Sequence, residues 1–264
     1  MPTPSELDAL AKRRARGAFI GAGILALIVV AALAGLLSRE SAPPQARPQV
    51  SSSAVPPQPS ATPAGATEAA DPPGYVRPRR WVQLPEASAL LGDRYPVRFP
   101  RTPAGAAGAA AALYQASWTL DAAAATKAVQ IYIAPAARAA TREEALQGVA
   151  WFRQQIGASA QTALPPEASI LVQPTGVRWT RRDDDNVVVN LNLHVDLLAS
   201  RDQPLINASA AVTVHMRWHP SLREGDWLAV RTPADQMSTL RYAELGTSDF
   251  NVLGWAAIKP AKAS

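Results

Sequence analysis

Residues 187–197 read VVVNLNLHVDL, and from Val189 onward every second side chain is apolar while the intervening ones are polar. The apolar positions are Val187, Val189, Leu191, Leu193, Val195 and Leu197, and the polar positions are Asn190, Asn192, His194 and Asp196. Because successive side chains of a strand point to opposite faces, this pattern predicts a half-buried antiparallel strand. An error of one residue in its register would exchange the two faces.

The sequence on either side of this stretch predicts three more strands. Residues 209–218 alternate in the same way and place Thr213, His215 and Arg217 on the polar face. Asp183–Asn186 predicts the turn before the central strand. A strand over 169–182 is interrupted by Pro174 and Gly176, which indicates a bulge or a bend, and a last strand is predicted over 226–231.

Three helices are predicted upstream of the strands. Thr102 and Pro103 are typical of an N-cap and a first helical residue, with a helix over 104–118. A second helix is predicted over 121–134. A third is predicted to begin with the capping box Thr141–Glu144 and to end at Gly157.

Three helices followed by four antiparallel strands predict an α+β domain, with the helices on one face of a curved sheet. This order resembles the cone-shaped fold of nuclear transport factor and its relatives. That fold includes ketosteroid isomerases as well as proteins without catalytic activity, so the fold alone does not decide the function.

The N-terminal part predicts a membrane anchor. Residues 17–37 contain no charge and would form a helix about 31 Å long, close to the thickness of a bilayer core. Four basic residues lie within positions 12–16, so the positive-inside rule predicts a cytoplasmic tail over 1–16 and an extracytoplasmic C-terminal domain. The alternative is a signal peptide cleaved near Ala32-Leu33-Ala34, although the apolar run is long for one.

Residues 38–80 predict a linker, since ten prolines stand among Ala, Ser, Gln and Thr with few large apolar side chains. An extended chain of that length could reach on the order of 100 Å from the membrane. Residues 81–264 then form the predicted folded domain, which contains no cysteine and therefore no disulfide or thiolate chemistry.

The charge distribution argues against nucleic-acid binding by the domain. The chain carries a net charge of +5, but residues 1–80 hold nine basic and five acidic residues. Residues 81–264 hold seventeen basic and sixteen acidic residues, so the folded part has almost no net charge. A surface that binds nucleic acid usually has a basic face, which this composition does not predict.

The predicted polar sheet face is the candidate site for a partner; a plain solvated face is the alternative. Its members are Asn190, Asn192, His194, Asp196, Thr213, His215 and Arg217. Because these side chains point away from the helices, no acid–base pair is expected in the interior. No cofactor or metal is expected either: His215 and His219 lie about 13 Å apart if both are in a strand. The acidic run at 183–185 lacks the glycine and distant glutamate of a calcium loop.

Two stretches carry a family resemblance. Tyr95–Ala106 (YPVRFPRTPAGA) and the pair VHMRW (214–218) and EGDWL (224–228) resemble the extracytoplasmic domain of actinobacterial conjugative-element membrane proteins. Those proteins are similar in layout to VirB-type assembly factors of type IV secretion systems. The resemblance implies a scaffold without catalytic residues, which forms homo-oligomers and binds other membrane subunits of the apparatus.

Two other functions remain open from the sequence. Accessory proteins of Mce-type lipid-uptake transporters share the predicted layout of an anchor and a cone-shaped domain. A membrane-tethered enzyme or small-ligand binder would instead use the space between the helices and the sheet. This last alternative requires polar side chains in that space.

Overall fold

A computed structural model describes residues 71–159, 163–200, 205–231 and 240–260. Within these ranges the chain is an α+β protein with four helices and a mixed sheet. No helix in this part of the chain is both long and apolar enough to cross a membrane. The predicted cytoplasmic tail, the predicted span at 17–37 and the linker up to residue 70 lie outside the described residues.

The first two long helices confirm the sequence predictions. Helix α1 covers Pro103–Ser117 and helix α2 covers Ala122–Tyr132. The Thr102 hydroxyl accepts a hydrogen bond from the Gly105 N–H at 3.0 Å, and the Asp121 carboxylate accepts one from the Ala123 N–H at 2.7 Å. Each cap satisfies an amide that the first helical turn leaves unpaired.

The predicted start of the third helix was wrong, whereas its predicted end is confirmed. Helix α3 covers Arg138–Gln155 and follows a short 3-10 turn at Pro135–Ala137, so the helical chain is already established before Thr141. Thr141 is buried within α3 and does not cap it. At the other end, Gly157 adopts a φ of 70°. Its N–H and that of Ala158 donate to the carbonyls of Gln154 and Arg153, which is a Schellman motif.

The strands form one six-stranded sheet and a separate two-stranded ribbon. The strands are β1 (Trp81–Val82), β2 (Ala89–Leu91), β3 (Tyr95–Val97), β4 (Ser169–Arg181), β5 (Asn186–Leu198), β6 (Ile206–His219), β7 (Asp226–Val230) and β8 (Ala256–Ile258). The order in the main sheet is β1-β8-β4-β5-β6-β7, with β2 and β3 forming the ribbon. The four predicted antiparallel strands are β4 to β7, and the register shift between Pro174 and Gly176 confirms the irregularity predicted in β4.

The apolar face of β5 packs toward the long helices, as predicted. Val189 lies opposite Val214 and Leu191 opposite Val212 in the β5–β6 register. All six apolar positions of the central stretch are buried, in one cluster with side chains of α1, α2 and α3. We call this side of the sheet the inner face and the opposite side the outer face.

The two stretches that carry the family resemblance meet in space. The buried Asp226 carboxylate accepts hydrogen bonds from the Arg98 N–H at 2.9 Å and the Trp227 N–H at 2.8 Å. It also forms an ion pair with Arg223 at 2.9 Å, while the Trp227 indole donates to the Pro100 carbonyl at 2.9 Å. These contacts join the segment before α1 to the β6–β7 hairpin, so the similar residues have a structural role.

The described end of the chain packs on its own domain. Helix α4 (Ser248–Val252) and strand β8 contribute to a second small core, whose buried members are Ala243, Phe250, Trp255 and Ala257. The Val76 N–H donates to the Gly246 carbonyl at 2.7 Å, and the Arg79 N–H donates to Oδ1 of Asn251 at 2.8 Å. The folded part of the chain therefore begins before Trp81, and the predicted linker boundary at residue 80 is several residues too late.

Candidate functional site: the outer face of the sheet

The seven residues predicted for the partner-binding face all occupy outer-face positions of β5 and β6, but they do not form one open surface. The C-terminal segment covers the middle of the face. Two parts with different chemistry remain partly exposed, one at each end of the β5–β6 pair.

The covered middle is centred on Asn192, whose side chain is fully buried. Its amide nitrogen donates to the Thr175 hydroxyl and to the Ala243 carbonyl, each at 2.8 Å. Its amide oxygen accepts from the Ala243 N–H at 3.1 Å. Asn192 therefore holds the C-terminal segment against the sheet, and its side chain is not available to a partner.

Its neighbours on the same face are also engaged within the domain. Asn190 is buried, and its side-chain oxygen accepts a hydrogen bond from the Thr213 hydroxyl at 2.7 Å. Gly176 leaves room for the second core, since a β carbon there would lie 2.8 Å from Cζ of Phe250. The glycine that predicted an irregular strand thus also permits α4 to approach the sheet closely.

The first open part contains His194 and Asp196. Nε2 of His194 lies 3.0 Å from Oδ1 of Asp196, and the two side chains are 33% and 22% exposed. Both residues are on β5 and lie opposite Ser209 and Asn207 of β6. The pair faces away from the helices, as the strand alternation predicts.

The second open part is a pocket of about 160 Å³ at the other end of the strands. Its polar lining residues are Arg182, Asn186, His215, Arg217 and Arg231. Nε of Arg217 donates to Oδ1 of Asn186 at 3.0 Å, which fixes the guanidinium beside the pocket. Burial, and then the charge of Arg182, lower the pKa of His215 from its usual value. Burial and the charge of Arg217 act in the same direction on the pKa of His219.

The acidic turn beside this pocket is occupied by internal contacts. Asp184 is ion-paired with Arg181, and Asp185 accepts a hydrogen bond from Nε of Arg101 at 2.9 Å. The Asn186 side chain and the Asp185 N–H donate to Asp183, which lowers the pKa of its carboxyl. Among the described residues, no three His, Cys, Asp or Glu side chains are arranged so that they could hold a metal ion.

The space among the three long helices contains one small void of about 20 Å³. The Tyr114 hydroxyl is buried there without a hydrogen-bond partner among the described residues, and burial raises the pKa of this hydroxyl. Burial also raises the pKa of Glu144, whose Oε2 has no such partner either. A void of this size could hold one water molecule, but it has no room for an organic substrate.

A larger groove of about 530 Å³ opens where α1 meets the β4 bulge. Its polar lining side chains are Gln83, Glu86, Gln115, Gln173, Thr175 and Lys259. The volume lies in the range of small-ligand sites. The groove contains no histidine and only one carboxylate, so its chemistry suits binding by hydrogen bonds better than proton transfer.

Sequence reasoning missed Arg182 and the covering of Asn192. Arg182 could have been placed on the outer face from the sequence, because it continues the alternation of β4. In the structure its backbone N–H donates to the Asn186 carbonyl at the hairpin. The contact between Asn192 and Ala243 joins residues 51 positions apart, and no local pattern predicts it.

Comparisons of the chain with protein-family models, curated proteins and solved structures found no match. The family resemblance therefore rests on the two stretches quoted from the sequence. The role of the outer face remains a prediction that the geometry must support.

Proposed function

We propose that this chain is a membrane-anchored assembly subunit of a conjugal DNA-transfer apparatus of the type IV secretion kind, without catalytic activity. Its partners would be other membrane subunits of the apparatus and further copies of the chain. Residues 17–37 would sit in the membrane lipid, with the N-terminus in the cytoplasm and the folded domain outside it. Neither nucleic acid nor a cofactor is part of this proposal.

One observation carries this proposal: the filled interior of the domain. Between the helices and the inner face the apolar strand positions pack in one cluster with the helices, and the void described among the three helices is far smaller than a substrate. The ionisable side chains of β5 and β6 instead lie on the outer face, where His194, Asp196 and Arg217 remain accessible. A domain of this kind offers surfaces to partners and little space for chemistry.

The proposed fold family is the cone of nuclear transport factor and its relatives. Three long helices on one face of an antiparallel sheet, with an irregularity in β4 that would bend it, are consistent with that cone. The short strands β1 and β8 and helix α4 are additions at the β4 edge of the sheet.

The groove beside α1 favours a second candidate, a membrane-tethered binder of a small polar ligand. Its glutamine amides could donate and accept hydrogen bonds with such a ligand.

An accessory role in a lipid-uptake transporter of the Mce type is a further alternative, because it would require the same predicted anchor and linker.

The deciding experiment is purification of the tagged full-length protein from its native membrane in mild detergent. The proposal expects conjugation ATPases or polytopic channel subunits to co-purify. A variant carrying His194→Ala and Arg217→Glu should lose these partners if they bind the outer face. Arg142→Glu, on the exposed side of α3, is the matched control and should retain them.

Recovery of lipid-transporter subunits would replace the first proposal by the Mce alternative. A protein that purifies alone, with both variants behaving like the wild type, would contradict both assembly roles. The groove would then be the next site to test, by substitution of Gln115 and Gln173.

A further inference from the structure

We propose that the pocket formed by Arg182, Arg217 and His215 at the end of the outer face binds a phosphate group. This site goes beyond the proposed assembly role and does not depend on it. The ligand would be a phosphate ester, either of a soluble compound or of a phospholipid headgroup. We call this site the arginine pocket.

The strand register brings the three residues together. Arg217 lies opposite Asn186, and His215 lies opposite Val188, in the β5–β6 pair. The Arg182 N–H bonds to the Asn186 carbonyl at the adjoining hairpin, which places Arg182 on the same face. Two guanidinium groups and an imidazole therefore line one concavity of about 160 Å³, which is ample for a phosphate group.

The surrounding charges leave this pocket positive. Of the three aspartates in the adjacent turn, Asp184 is paired with Arg181 and Asp185 with Arg101. Asp183 accepts hydrogen bonds from Asn186 and keeps its negative charge near Arg217, so Arg182 and Arg217 together leave an excess of one positive charge. Neither Arg182 nor Arg217 forms an ion pair with any carboxylate of the described residues.

The chemistry of the lining fits a phosphate better than a neutral ligand. A guanidinium carries several donors in a planar fork, which suits the oxygens of phosphate, and it remains charged at every physiological pH. The Asn186 side chain already fixes the Arg217 guanidinium by a hydrogen bond. Binding of a ligand would therefore cost less side-chain entropy at Arg217.

His215 provides an internal reporter of anion binding. Its imidazole is kept neutral by burial and by the nearby Arg182, and its Nε2 has no hydrogen-bond partner among the described residues. An anion bound between the arginines would offset the positive field, so the His215 pKa should rise on binding. His194 lies at the opposite end of β5, with Asp196 beside it, and should not respond.

The test uses the full-length chain in micelles of a maltoside detergent, which contains no phosphate, with ¹³C at Cε1 of its three histidines. Inorganic phosphate is added at constant ionic strength, and H215Q assigns the His215 signal. We expect phosphate to move the His215 signal and raise its pKa while the His194 signal stays in place. R182Q should weaken phosphate binding by about tenfold, the loss of one charge-assisted contact at a partly exposed site.

R181Q is the matched control, because Arg181 is the neighbouring arginine but is already paired with Asp184. It should bind phosphate as the wild type does. The proposal is overturned if phosphate leaves the His215 signal unmoved, if acetate moves it equally, or if R181Q and R182Q weaken binding alike. An unchanged His194 signal in each variant shows that the domain remains folded.

Nanodiscs containing phosphatidylglycerol distinguish the two sources of phosphate. A shift of the His215 signal with this lipid and without added phosphate would identify a headgroup site. A shift with inorganic phosphate alone would identify a soluble phosphate compound. Both results support the arginine pocket, and R182Q should abolish whichever shift occurs.

Discussion

The two faces of the same sheet are stabilised in different ways. The inner face buries Leu191, Leu193 and their neighbours in one large cluster with three helices. Among the described residues, the outer face is covered by a cluster of four buried side chains, all from the C-terminal segment, together with the amide hydrogen bonds of Asn192. The inner face should therefore determine whether the domain folds, and the outer face whether its C-terminal segment stays in place.

This difference also bears on function. Residues in the large core stabilise the fold. The smaller core does not extend to the two open parts of the outer face. A substitution on the outer face can thus change the exposed surface without unfolding the domain.

Leu191→Ala should destabilise the whole domain. Leu191 is fully buried at the centre of β5, and a leucine truncated in a core of this kind costs about 3 kcal/mol of unfolding free energy. Urea denaturation followed by tryptophan fluorescence measures the loss. Leu90→Ala, at a position that is 57% exposed, is the control and should change stability by less than about 0.5 kcal/mol.

Phe250→Ala should act locally and cost less, about 2 kcal/mol, because a small cluster at the edge of the domain can open without global unfolding. Hydrogen exchange should accelerate in α4 and β8, while the amides of β5 remain protected. Val252→Ala is the matched control in the same helix, since Val252 is 78% exposed. If β5 also lost protection, the two cores would be one cooperative unit.

Asn192→Ala should cost about 1–2 kcal/mol, because it leaves the buried amide and carbonyl of Ala243 without their partner. The expected signature is faster hydrogen exchange at the Ala243 amide. Asn207→Ala removes the same type of side chain from an exposed position of β6 and should have little effect. An equal effect of both substitutions would show that the amide bonds do not hold the segment.

The smallest expected effect concerns pH. Because the pKa of His215 is lowered in the folded protein, the unfolded chain binds this proton more tightly. Folding stability should therefore decrease as the pH falls through the ordinary histidine range near 6.5, and increase with rising pH. His215→Gln should weaken this dependence in urea midpoints measured at about pH 5.5 and 7.5. The raised pKa of Glu144 acts in the opposite direction, but it is common to both proteins and cancels in their difference.

The sequence predicted the elements whose stability is local. Strand alternation identified β5 and β6 and both of their faces, and the caps at Thr102 and Asp121 identified two helix starts. Thr141 was misread because a capping-box sequence is compatible with a helix interior once Pro135 has begun the turn earlier. The same four-residue pattern can occur at a helix start and in a helix interior, and only the preceding chain distinguishes the two cases.

The parts that could not be predicted depend on long-range pairing. Strands β1 and β8 contain two and three residues, too few for any periodicity. Strand β8 pairs with β4, and β1 pairs with β8, so both depend on a strand that is distant in the sequence. The seven candidate residues were placed on the correct face. Their accessibility depended on a segment some 50 residues downstream, which alternation within a strand does not reveal.

The pairing of β1 with β8 has a mechanical consequence. Trp81 lies opposite Ala257 and Val82 opposite Ile258, so the first and last strands of the domain are neighbours at one edge of the sheet. If residues 17–37 anchor the chain, any tension carried by the linker reaches the hydrogen bonds of Val76 and Arg79 to the C-terminal segment first, and then the two-residue contact between β1 and β8. The long strands β5 and β6, with more than ten paired positions, would bear the load only after that edge had separated. A pull from the membrane would thus detach the cover over Asn192 while the main core stayed intact.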